Sequence, residues 1–145
     1  MTAKELYDRD FFEWTQCNAS LLRAGRFDQA DMEHIAEEIE DMGKSQHHEM
    51  HSRLRVLIAH LLKWKFQPDM RSTSWTTTIG TQRDELELVL EHAPSLRNSA
   101  RAALPSIYGK AVREAGRETK LPRTAFPETS PFTLDQILDD DFYPD

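Results

Sequence analysis

The sequence has a single cysteine, Cys17, so no disulfide can form within the chain. Its spacing carries no metal-site pattern, and a reducing compartment is the plain expectation. Long hydrophobic runs are also missing. The longest, Val56-Leu57-Ile58-Ala59, is broken by His60 before Leu61-Leu62. That is far short of the ~20 apolar residues a membrane span needs. The first ten residues, MTAKELYDRD, hold no apolar core of a signal peptide. A soluble, cytoplasmic protein is therefore expected. Gly80 stands alone, which removes a glycine-rich phosphate loop. No alternating strand pattern, internal repeat or low-complexity run is present. Neither His-Glu-x-x-His nor the Glu-x-x-His pair of di-iron bundles occurs.

Positive charge is outnumbered, with 18 basic against 25 acidic side chains, and is unevenly placed. The net charge of 145 residues is −7. Residues 1–43 carry 4 basic and 11 acidic side chains, residues 44–84 carry 7 and 3, and residues 85–145 carry 7 and 11. An acidic total argues against nucleic acid as a partner. The basic middle is explained most simply as neutralising the acidic segments on either side.

What the sequence does have is helical periodicity. Met32, Ile35, Ile39, Met42, Met50, Leu54, Leu57, Leu61 and Trp64 fall on one stripe at about 100° per residue. The phase holds across Gly43, so one long helix over Asp31–Phe66 is favoured over a turn at Gly43-Lys44-Ser45. On that reading Gly43 allows another helix to come close. Asp28 or Asp31 can cap the helix, and Pro68 stops it. Gln46 and Arg53 interrupt the stripe, and Glu49 is placed to pair with Arg53 four residues on.

Around this helix the chain offers others. Asp10 with Glu13 marks the start of a helix over about Phe11–Ala24, with Asn18 on its apolar side and in need of a partner. Cys17 in that helix is expected to be a small buried hydrophobe. Ser72, Thr73 or Ser74 caps the next, whose stripe is Trp75, Ile79, Gln82, Leu86, Val89 and Ala93. Pro94-Ser95 opens a further pattern, Leu96, Ala100, Ala103, Ile107 and Ala111. Pro105 within it predicts a kink or two abutting helices. Beyond Leu121 prolines dominate, Phe126 and Phe132 are anchors, and Thr133 with Gln136 forms a capping box. The fold class is all-α. A bundle of about four main helices (1–120) surrounds one long central helix, and a proline-rich segment with a short helix (121–145) packs on it, all as one domain. At this length such a domain can bury roughly 70% of its unfolded surface.

Several of these stretches occur together in one known family. They are Glu37-Glu38-Ile39-Glu40, Leu54-Arg55-Val56-Leu57, Leu61-Leu62-Lys63-Trp64, Gln67-Pro68, Ser74-Trp75, Gln82-Arg83, Phe126-Pro127 and Pro131-Phe132-Thr133-Leu134-Asp135-Gln136-Ile137-Leu138. With them the chain resembles, over nearly its whole length, the bacterial family called domain of unknown function 29. The resemblance implies a small helical bacterial protein. It implies no activity and supplies no catalytic residues.

Two constellations carry chemistry. His47 and His51 share a helix face, with Glu40 on the same stripe seven residues earlier, and His92 can add a ligand. This is the one candidate for a divalent metal, against the simpler reading of helix-surface histidines; otherwise no cofactor is expected. Arg55, Lys63, Trp64, Arg71, Trp75 and Arg83, with Lys65 and Phe66, combine cations and aromatics as phosphate- or base-stacking surfaces do. They fit equally well as core tryptophans with flanking charges. The expected function is a non-catalytic interaction or assembly module whose partner is a protein or a second copy. The alternatives are a metal-dependent bundle enzyme on His47 and His51, and a nucleic-acid-associated protein using the basic segment 53–83.

Overall fold

The computed structural model describes all 145 residues, and every regular element is helical. The helices are α1 (Ala3–Arg9), α2 (Phe11–Arg23), α3 (Met32–Phe66), α4 (Thr73–His92), α5 (Leu96–Thr119) and α6 (Leu134–Leu138). Short 3₁₀ turns occupy Pro68–Met70 and Arg123–Ala125. Helices α2 to α5 are the four main ones expected, and α3, of 35 residues, is the longest. It runs unbroken through Gly43. A Cβ built on that glycine meets nothing within 4 Å, so the close helix approach expected there does not exist. No helix is long and apolar enough to cross a membrane.

The chain divides into two compact units, Met1–Ser45 and Gln46–Asp145. The second holds the hydrophobic core. Met50, Leu54, Leu57, Ile58, Leu61 and Leu62 of α3 are buried with Ile79 and Leu86 of α4, and with Ile107, Ala111 and Val112 of α5. The C-terminal segment joins this core through Phe126, Phe132, Leu134 and Ile137. Its capping box at Thr133 and Gln136 is formed as the pattern required. Helix α5 continues as one helix through Pro105 and ends at Lys120, which adopts the left-handed conformation. Ser95 stands at its N-cap without a side-chain hydrogen bond there. Tyr108 of α5 donates its hydroxyl to the Pro127 carbonyl at 2.6 Å, tying the proline-rich segment down.

The first unit is built differently. It buries little apolar surface, and its centre is polar. Trp14 Nε1 donates to Asp31 Oδ2 at 3.1 Å. Asn18 donates to the Trp14 carbonyl at 2.9 Å and accepts the Asp31 backbone N–H at 2.8 Å, so its need for a partner is met. Helix α1 lies outside the helices that the periodicity predicts, and Cys17 is half-exposed rather than buried. The long stripe of α3 is buried only from Met50 onward. Met32, Ile39 and Met42 are exposed.

Candidate functional site

Helix α3 brings His47 and His51 together, with ring centroids 4.4 Å apart. Burial, then the neighbouring charges of His47, Lys110 and His48, hold the His51 imidazole below the ordinary histidine value. Glu40 is exposed on the same helix, and His92 is exposed in the last turn of α4. No group of three His, Cys, Asp or Glu side chains converges anywhere in a way that could hold a metal ion.

The basic and aromatic residues fall into separate groups. Arg71 stacks on Trp64, its guanidinium carbon 4.8 Å from the ring centroid. It also donates to the carbonyls of Trp64 at 2.8 Å and Pro144 at 3.4 Å. Trp64 in turn packs on Tyr143. Arg83 is buried and binds three backbone carbonyls of the C-terminal segment. These three residues clamp the tail. Lys63 is buried and belongs to a different site with Trp75. Arg55 lies apart from both groups, with Lys110 in a small cleft.

The Lys63 site is a cleft of about 540 Å³ in the second unit, lined by His60, Lys63, Gln67, Ser74, Trp75 and Glu118, among others. Lys63 Nζ donates to Glu118 Oε2 at 2.5 Å and to His60 Nε2 at 3.4 Å, and lies 5.2 Å from the Trp75 ring centroid. His60 Nδ1 is 2.8 Å from the Val56 carbonyl. A carbonyl only accepts, so Nδ1 carries the proton and Nε2 presents its lone pair to Lys63. Burial is the main cause that keeps this imidazole's pKa low, with the Val56 bond partly opposing it. Lysine, carboxylate and imidazole thus form one hydrogen-bonded set beside an indole wall. Such an arrangement can hold a small polar ligand against Trp75. Sequence reading missed His60 and Glu118. The one local signal for His60 is that it breaks an apolar run; Glu118 has none.

The first unit offers an exposed apolar surface beside a cleft of about 650 Å³ lined by Ala3, Cys17, Leu21, Asp31 and Met32, among others. Tyr7 stacks on His34, centroids 3.8 Å apart, and donates its hydroxyl to Glu38. That bond, with burial and nearby carboxylates, pushes the phenol pKa up to about 12. Seven of the ten exposed large hydrophobic side chains of the whole chain lie in this unit: Met1, Phe11, Phe12, Phe27, Met32, Ile39 and Met42.

No curated protein and no solved structure gives a significant match to the chain. The family model described as "Domain of unknown function DUF29" matches residues 6–143, and the chain belongs to that family.

Proposed function

We propose that this protein is an interaction module, and that its docking surface is the exposed apolar stripe at the start of α3. The observation that carries this reading is the exposure of Met32, Ile39 and Met42, with half-buried Ile35 between them. Their 3-4-3 spacing is that of a helix-packing seam. Glu33 and Glu40 border the stripe, and residues 1–43 carry 11 acidic side chains against 4 basic ones. The charge selects the occupant: an amphipathic helix with a basic border, from another protein. A second copy would bring two acidic surfaces together. The lone, unpaired cysteine supports a reducing compartment such as the cytoplasm.

The test uses a fluorescent 18-residue leucine–lysine amphipathic helix and a scrambled peptide of equal composition. The amphipathic peptide should bind more tightly than the scrambled one. Ile39→Asp with Met42→Asp should weaken it at least roughly tenfold, because each buried apolar side chain contributes about 1.5–3 kcal/mol. Equal binding of both peptides would reduce the effect to bulk charge and overturn the reading. A dimer in sedimentation that Met42→Asp dissociates would also overturn it, in favour of self-association.

A further inference from the structure

In the second unit, α3 and α5 enclose a cleft of about 150 Å³ lined by His48, His51, Ser52, Arg55, Ile107 and Lys110. Apart from Ile107, every one of these side chains can donate a hydrogen bond. Two of the donor-bearing atoms, His51 Nε2 and Arg55 Nε, are buried and have no partner. A buried polar group of this kind is costly to leave unpaired, and native structures rarely do so without a ligand, ion or water. Neither Arg55 nor Lys110 forms an ion pair. The charges that act on His51 come from His47, Lys110 and His48, and no carboxylate is among them. Glu114 also has an unpartnered carboxylate oxygen, but it does not line this cleft, and its charge acts on His60.

We propose that this cleft binds a single tetrahedral oxyanion: inorganic phosphate, or the phosphate group of a monoester. The fork of Arg55 matches two oxygens of such a group, and Lys110 supplies a second, compact positive charge. Ser52 Oγ and the His51 ring nitrogen donate to the others. The volume sets the size of the ligand. Sites for drug-sized molecules run to roughly 300–1,000 Å³, so this one encloses a phosphate group and leaves any organic remainder outside. The same charges act against a divalent metal on His51, because Arg55 and Lys110 have no lone pair to offer and repel a cation.

Titrating the full-length protein with sodium phosphate tests the site, with sodium chloride adjusted to hold ionic strength constant and amide NMR shifts as the readout. Saturable shifts are expected at Ser52, Arg55 and Lys110, with Kd on the order of 1 mM. Arg55→Gln and Lys110→Gln should each raise Kd roughly tenfold or more, and Arg55→Lys should restore part of the loss. Lys110 is exposed, so Lys110→Gln keeps the fold and tests the site even if Arg55→Gln does not. Phenyl phosphate in place of phosphate separates the two sources: tighter binding points to a monoester, weaker binding to the free anion. Shifts that do not saturate, or that persist unchanged in Lys110→Gln, would overturn the proposal. So would zinc binding at His47 and His51 in a protein that gives no response to phosphate.

Discussion

Arg83 Nε on α4 donates to the carbonyl oxygen of Ile137 at 2.9 Å, across 54 positions of sequence. The same guanidinium donates to Phe142 at 2.8 Å and to Asp140 at 3.4 Å, with the Tyr143 ring 5.4 Å away. The last carbonyls of a helix have no partner within it. One cation here takes up the end of α6 and the strand of chain beyond it. Burial pushes the Arg83 pKa down, while Tyr143 and the aspartates of the tail act against that. A lysine cannot serve three carbonyls set in a fork. Arg83→Lys and Arg83→Met should each cost about 2–4 kcal/mol in urea unfolding, since hydrogen bonds to charged groups contribute roughly 1.5–3 kcal/mol. Chymotrypsin should then cut after Phe142 before the rest of the chain, the bond after Tyr143 being protected by Pro144. Unchanged stability and an uncut tail would show that the burial of Phe132 and Ile137 holds the segment unaided.

Asp31 gives the first unit a defined response to acid. Burial by itself would raise its pKa, but the hydrogen bonds from His34 Nδ1, at 2.6 Å, and from Trp14 outweigh it, and the pKa falls below the ordinary 3.8. The unfolded chain therefore binds a proton more readily than the folded one, so stability rises with pH. The contribution is complete above the unfolded value and is lost as pH falls through the folded value. Trp14 reports the event directly, because its indole is one of the donors. Thermal melts followed by circular dichroism should lose stability below about pH 4. Asp31→Asn should flatten that loss and cost about 1–3 kcal/mol at pH 7. Equal acid sensitivity in the wild type and the variant would assign the effect to other carboxylates.

Local signals in the sequence predicted local structure well. Asp10 caps α2, Ser72 caps α4 and Arg53 pairs with Glu49, each through contacts within four residues. Helix α1 has an equally good capping box at Thr2 and Glu5. Periodicity does not reveal it, because seven residues with only Ala3 buried leave no apolar period to read. The sites depend on distance along the chain. Lys63 meets Glu118 across 55 positions, and nothing near either residue signals the other. Arg83 is visible as a charge, but its burial is set by a tail more than 50 residues later. The α3 stripe shows a third limit. Periodicity marks a face from Met32 to Trp64, but it does not say which part the rest of the chain covers. Met50 and Leu54 are covered, while Ile39 and Met42 are not.

Gly43 sits inside α3 with ordinary helical backbone, and a methyl group there would meet no other atom within 4 Å. Glycine is destabilising in a helix interior by roughly 0.8–1 kcal/mol relative to alanine. With no packing reason to keep it, Gly43→Ala should stabilise the protein by about 0.5–1 kcal/mol in urea unfolding. Hydrogen exchange should slow most at the amides of residues 40–46, where the helix is supported least by burial. Gly25 provides the contrast. Its φ of +72° lies where an L side chain is strained, so Gly25→Ala should destabilise by about 1 kcal/mol although the space around it is equally open. If Gly43→Ala were instead neutral or destabilising, the backbone at Gly43 would not hold ordinary helical geometry in solution. The helical spacing of Ile39 and Met42, on which the proposed docking surface rests, would then no longer hold.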